Sequence, residues 1–452
     1  MKVSKLLGAA LAAVLSAGMV GCSGDGASTP PPSEKKQVTI NVKCPPLALP
    51  YDGESGDIEA IDMLKEAGEA FCASYEDAEV TINYTRFPYT EEDQAVLGSF
   101  GTEDEPDLVL AGQFNVPTYM HSGRAAALDD VIDEGLRADV DEAIWNQCSM
   151  DGSTYVLPFY QLQNILMVNP DLMRAAGLER FIPEDGTVAQ WSTAEFDEIL
   201  AGLKASMADE SAFPMALWAA NNQGDTHTMS LLRSQGSTLY NAEGRFDLES
   251  PEGVAGLAWL DSLNKQAYIP KGSENLEFAS VIKLFENGQI AICPGNKTTM
   301  LSNYAASGSL PFAANFPTLD GTGCASTFLT GFTVFDNGDA DRMQVAKEFA
   351  RFIVSNDEYL RYTYSGTPVN KSYIERSGVT GEVAHLDEAF VANSGNVYDF
   401  LNNTPNWSGV RDVFYLGIQD LLRGTTTPEE AAAAIDQTCN AAIDEGYAAV
   451  GL

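Results

Sequence analysis

The sequence predicts an α/β protein built as two lobes or domains, and three observations carry that expectation. The body from about residue 38 to residue 452 is too long for one compact core. Its opening alternates strand and helix. Residues 38–42 are a β-branched run, and 58–75 carry Ile58, Ile61, Leu64, Ala67 and Phe71 at helical spacing; 80–84 and 106–110 return to strand composition. That order is the start of a parallel sheet with crossover helices, in which ligands sit off the carboxyl ends of the strands. The segments after Val42 and after Leu110 are therefore the first places to look for a site.

The later elements come from the same periodicities. Helical patterns run over 195–207, 251–265, 276–287, 341–355, 410–422 and 428–444, with short strands at 290–293 and 330–335. Val345, Phe349, Phe352 and Ile353 form the inward face of the helix at 341–355. The acidic run Asp336 to Asp341 lacks the spacing and terminal Glu of a calcium loop and is read as that helix's cap. Pro428 falls in the first turn of the last helix, where its missing N–H costs nothing.

Residues 1–21 read as an export signal. Lys2 and Lys5 precede an apolar stretch from Leu6 to Val20 that is too short to span a bilayer, which takes roughly 20 apolar residues. Met19-Val20-Gly21-Cys22 resembles the bacterial lipobox, which implies lipid on Cys22. Residues 22–37 are polar, include Pro30-Pro31-Pro32, and have no apolar face, so a flexible tether is expected. The address is thus outside the cytoplasm, on the membrane through a lipid anchor.

Composition narrows the function. A formal charge of −38, more negative still once Lys2 and Lys5 are removed, repels phosphate backbones and argues against nucleic-acid binding. Six further cysteines, Cys44, Cys72, Cys148, Cys293, Cys324 and Cys439, form an even set in an oxidising compartment, so disulfides are expected, with buried free thiols as the alternative. No CxxC spacing, nucleophile elbow, HExxH, P-loop or Rossmann fingerprint occurs. The three histidines, His121, His227 and His385, sit on different elements. No metal, cofactor or catalytic group is expected.

A string of segments, in order, resembles the extracellular solute-binding proteins of ABC importers, in the carbohydrate-binding family. They are Pro106-Asp107-Leu108-Val109, the stretch Ser122 to Ile132, Asp151-Gly152-Ser153-Thr154-Tyr155-Val156-Leu157-Pro158, and Leu166 to Leu172 with Ala176-Gly177-Leu178. Trp191 to Phe196, Phe285 to Ile292 with Gly295, and Ala346 to Ile353 with Gly366-Thr367-Pro368 complete the series. Val168 and Pro170 depart from the family's usual Tyr and Lys around Asn169. The resemblance implies an α/β, two-lobed, periplasmic-binding-protein-like fold with a ligand cleft between lobes and hinge-crossing strands. Lobe 1 would be 38–157 with 295–336, and lobe 2 would be 158–294 with 337–452.

The implied function is a lipid-anchored, monomeric substrate-binding protein, not an enzyme. It would capture a carbohydrate, by expectation an oligosaccharide, for the permease subunits of an ABC importer. The same fold serving glycerol 3-phosphate, a polyol or a peptide, or a surface glycosidase, are the alternatives. Sugars are held by aromatic faces, amides and carboxylates. On that chemistry and the resemblance, the candidate ligand residues are Gln113, Phe114 and Asn115 after the third strand, Tyr160 and Gln161 after the first crossing, and Trp218, Asn222 and Asp225. Asn296, Phe332, Trp407 and Arg411 complete the set, with Lys297 and Arg411 the cations that would favour an anionic ligand. Trp407 is the leading candidate; its alternative is packing beneath the 402–406 loop. Tyr160 and Trp218 have the same core alternative, and Gln113 to Asn115 that of a plain turn.

Overall fold

The structure, a computed structural model, describes residues 35–50, 57–184, 186–209, 211–364 and 366–451. The export signal, Cys22 and nearly all of the expected tether lie outside these residues. Numbering only its central sheet, the strands are β1 (Lys36–Cys44), β2 (Ala78–Arg86), β3 (Leu108–Gly112), β4 (Leu157–Val168), β5 (Phe213–Met215), β6 (Ile290–Gly295), β7 (Phe312–Ala314), β8 (Ser326–Val334) and β9 (Thr367–Pro368). The helices that position the site are α1 (Ala60–Ser74), α2 (Asp225–Leu232), α3 (Phe278–Glu286), α4 (Lys297–Ser307), α5 (Ala340–Val354), α6 (Glu382–Ala392), α7 (Trp407–Arg423) and α8 (Pro428–Ala449).

The strand order is β2-β1-β3-β8-β4-β6-β5, with β7 and β9 also pairing to β4. β1 runs parallel to β2 and β3, as the βαβ opening requires, while β8 is antiparallel to both β3 and β4. The tether is shorter than expected, because Lys36 and Gln37 already pair with Ala78 and Glu79.

Two large cores hang on this sheet, beside a smaller third cluster that holds Ile165 and Met167 of β4 with Val281 and Phe285 of α3. One holds β1, β3 and α1 with the inward face of α5, where Phe71 meets Phe349 with ring centroids 5.2 Å apart. The other gathers α7, α8 and the far half of β4. β4 and β8 belong to both. Leu157 and Phe159 lie in the first core and Leu166 and Val168 in the second, and β8 packs Phe328 against the second and puts Phe332 and Val334 in the first. These are the crossing strands.

Where β8 crosses, its register against β4 shifts between Thr330 and Gly331. Gly331 stands opposite Pro158, and a Cβ there would come within 2.6 Å of Val156 and 2.7 Å of the Leu157 carbonyl. Only glycine lets the strands approach this closely beside a residue that cannot donate a ladder hydrogen bond.

Packing departs from the expected lobe boundaries in two places. Residues 340–373 are expected in the second lobe, yet Val345, Phe349, Ile353, Tyr359 and Val369 are in the first core. Conversely Met300, Ala314 and Phe316, expected in the first lobe, pack with the second. The chain returns to lobe 1 through β8, so α5 and the residues after it as far as Tyr373 cover the lobe 1 sheet. The Asp339 carboxylate accepts from the N–H groups of Asp341 and Arg342, capping α5 as the acidic run suggested.

The disulfide expectation is overturned. Cys44, Cys72, Cys148, Cys293, Cys324 and Cys439 are all free. All but Cys72 are buried, dispersed among the apolar clusters of both lobes, so they serve as small core side chains. Burial pushes the Cys44 thiol up to about 12 and that of Cys324 to about 11, which keeps both protonated and unreactive. Among the described residues no helix is long and apolar enough to cross a membrane.

Candidate binding cleft

A cavity of about 640 Å³ opens between the lobes beside the crossing strands. Its wall is aromatic and its polar groups are mostly amides. Phe114, in the turn after β3, meets Phe328 of β8 edge-on at 5.4 Å. Trp218, three residues past β5, meets Phe278 at the start of α3 with ring centroids 5.1 Å apart at 85°. The Trp218 indole N–H donates to the Gln223 carbonyl at 3.0 Å, so only its ring is offered to the cavity. Phe278 is 38% exposed, and Tyr89, from the first lobe, is 55% exposed. Exposed aromatic faces in a concave site are the usual means of holding the C–H face of a ring-shaped polar ligand.

Asn164, Asn222, Gln223 and Asn296 supply hydrogen-bonding edges. Each of the first two is held by a neighbour: Asn164 donates to Ser326 Oγ at 3.1 Å and Asn222 to Asp412 at 2.8 Å. Asn296 caps α4 by accepting from the Thr299 N–H. His227 is buried against Trp218, and burial drives its imidazole down to about 3, so it is neutral.

The charged side chain on the wall is Arg411 of α7. It lies over the Phe114 ring, 4.8 Å from its centroid, and is ion-paired with the fully buried Asp225 at the head of α2. Burial pushes the Asp225 carboxyl up while Arg411 opposes the shift. Lys297, the other cation in question, is away from the cavity. It is buried, 2.6 Å from Asp387, and donates to the carbonyls of Tyr364 and Gly366. Neither cation is left unneutralised for an anionic ligand.

Of the expected ligand residues, the cavity brings together Phe114, Trp218, Asn222, Asn296 and Arg411. The others are elsewhere, for physical reasons. Trp407 is 0% exposed and packs in the second core, edge-on to Phe400 at 5.4 Å. On α7 it shares the buried stripe with Val410, Phe414 and Ile418, and Arg411 stands at the stripe's edge. Phe332 is buried in the first core, as is Tyr160, which packs under Gly366.

The polar candidates are likewise structural. Gln113 reproduces a strand residue with its side chain: its amide accepts from the Leu329 N–H at 3.0 Å and donates to the Thr327 carbonyl at 3.2 Å, where β3 has ended. Gln161 donates to Ser394 on the side away from the cavity. Asn115 is buried at the turn into the helix Val116–His121, and Asp225 lies behind Arg411.

Sequence reading missed Tyr89, Phe278, Phe328 and Asn164. Phe278 did leave a signal. It continues the Val281, Phe285 stripe of α3 one turn beyond the core, where an apolar residue has nothing left to cover it. Phe328 and Asn164 are legible only once both crossing strands are known.

Trp407→Ala is therefore expected to lower stability by about 3–5 kcal/mol, as for other buried aromatics. Urea unfolding reads this directly. Unchanged stability with lost ligand affinity would put Trp407 back in the cleft.

Comparison with known proteins agrees with this geometry. Residues 59–359 match the family described as bacterial extracellular solute-binding protein. The sugar-binding protein MalE of Xanthomonas citri superposes with a TM-score of 0.72 at 16% identity, covering 90% of this chain and 98% of that one. The cyclic alpha-maltosyl-1,6-maltose binding protein of Arthrobacter globiformis gives 0.68 at 19% identity, covering 90% and 100%. A curated relative, an uncharacterized lipoprotein encoded in the oleD 5′ region of Streptomyces antibioticus, is 22% identical over 196 residues, 43% of this chain. The match spans 41% of that relative's length.

Proposed function

Because this chain belongs to the bacterial extracellular solute-binding protein family and has the two-lobed periplasmic-binding-protein fold, we propose that it captures an uncharged carbohydrate, an oligosaccharide, between its lobes for an ABC importer. The observation that carries the reading is the cleft's chemistry. It pairs exposed aromatic faces with fixed amides, and its one guanidinium is neutralised from behind. The sugar-binding proteins it superposes on lend the same reading support. A phosphate ligand would call for free cations or an open helix N-terminus at the cavity. Arg411 and Lys297 are both committed to carboxylates, Asn296 occupies the N-terminus of α4, and the helix starts of α2 and α3 carry the acidic Asp225 and Glu277, Asp225 accepting from the Thr226 N–H.

The mechanism needs no covalent chemistry and no cofactor. A ligand that touches both lobes binds the closed arrangement better than the open one and shifts the population toward it by that difference. Tyr89 from lobe 1 and Trp218 and Phe278 from lobe 2 are the residues such a ligand would bridge. The closed, loaded form is what the permease would accept from a monomeric receptor. Lipid on Cys22 would keep that receptor near the permease. Fractionation of cells carrying Cys22→Ala tests the anchor: the protein should move to the soluble extracytoplasmic fraction, and its retention on membranes with the signal removed would refute the anchor.

A panel of neutral oligosaccharides read by thermal shift should contain at least one that raises Tm, since a ligand of the folded state stabilises it by mass action. Phe278→Ala should weaken that sugar's binding by about tenfold or more while leaving the unliganded Tm nearly unchanged, because the ring is more than a third exposed and adds little to the core. An acidic sugar or a phosphate stabilising the protein where no neutral glycan does would reject the reading.

A further inference from the structure

The pair Asp225–Arg411 is built in an unusual way for a binding cleft. Arg411 reaches the cavity wall with 19% of its side chain exposed, whereas the Asp225 side chain is 0% exposed and cannot touch a ligand. Both carboxylate oxygens of Asp225 are occupied from the protein side. Oδ2 accepts from Arg411 Nε, and Oδ1 accepts from the Thr226 N–H with Arg411 Nη2 3.5 Å away. Arg411 Nη2 also donates to the Asn222 carbonyl at 3.0 Å. Among the described residues no partner is seen for Nη1. Arg411 is also the one ionised side chain among the described residues lining the cavity, since His227 is neutral there. The guanidinium plane rests on Phe114 at 4.8 Å, which fixes where its free N–H groups point.

We propose that Asp225 is the positioning residue that sets the charge selectivity of the cleft: from behind the wall it cancels the charge of Arg411 while leaving Nη1 free to donate to a ligand oxygen. The inference rests on the solute-binding reading above and deepens it. An arginine alone would recruit anions, which it binds more strongly than neutral hydroxyls. Paired with a desolvated carboxylate one hydrogen bond behind it, the same N–H groups remain donors but the long-range field of the site is that of a dipole. The cleft then favours uncharged polyhydroxylated ligands over their acidic or phosphorylated counterparts, and the Asp225 carboxylate makes that choice.

The test uses inorganic sulfate as the probe, in the full chain, so it does not depend on knowing the sugar. Melting temperature is followed against sulfate at constant ionic strength for the parent, Asp225→Asn, and Asp225→Asn with Arg411→Gln. Asp225→Asn should show a saturable sulfate-dependent rise in Tm, with binding roughly tenfold or more tighter than in the parent. The double variant should lose it. Equal sulfate responses in all three chains would overturn the proposal, and so would a response in the double variant as large as in Asp225→Asn. Should Asp225→Asn alone fail to fold, the double variant decides: folding restored by removing the guanidinium supports charge cancellation, and continued failure to fold assigns Asp225 to packing and overturns it. A neutral-glycan Tm shift in the parent is scored separately, so failure of the sugar reading and failure of this inference are distinguishable.

Discussion

β4 is buried at every one of its 12 residues except Leu162, and burial on that scale obliges each backbone and side-chain polar group on the strand to find a partner. The ladders to β8, β6, β7 and β9 satisfy the backbone. Gln161 and Gln163 are satisfied by a network that reaches Ser394, the Phe390 carbonyl and Asn393, and Asn393 in turn bonds Asn315. The strand that joins the lobes is thereby fixed in register and in face. Phe328 on its partner strand and Asn164 on β4 itself end up toward the cavity because the glutamines are committed to the other side.

The charge distribution extends the same logic to function. The chain carries −38 overall, yet the cleft's wall is neutral where a ligand would lie. Three interior acids are consumed in pairs, Asp225 with Arg411, Asp387 with Lys297, and Asp107 with Arg342 at 2.7 Å, while Asp436 is held by the backbone N–H groups of Leu248 and Glu249. What remains available at the cavity is aromatic surface, amide edges and the outer N–H groups of one compensated guanidinium. That inventory suits a ligand with an apolar ring face and many hydroxyls.

Much of the fold was legible in the sequence. The β-branched run at 38–42 and the helical stripe from Ile61 to Phe71 are β1 and α1, and Pro251–Lys265 is a helix at both bounds expected. The ordered segments led to the family directly. Site residues were harder. Phe114, Trp218, Asn222, Asn296 and Arg411 come after strand ends or begin helices, where loops face the cleft, and there position alone is informative. Trp407 misled because a Trp beside a run of asparagines looks like a ligand platform. In fact the chain takes Asn402, Asn403 and Asn406 through positive φ, and the turn they make aims the indole into the core. Gln113 and Gln161 misled because amides that would suit a sugar equally suit an unpaired strand. Lobe membership of 340–373 could not be read at all, since it depends on which direction β8 crosses.

Closure about β4 and β8 is the claim on which capture depends. Small-angle X-ray scattering of the protein with and without the neutral oligosaccharide that raises its Tm tests it most directly. Saturating sugar should reduce the radius of gyration as the lobes approach. A bound sugar that leaves the radius of gyration unchanged would contradict a mechanism of capture by closure.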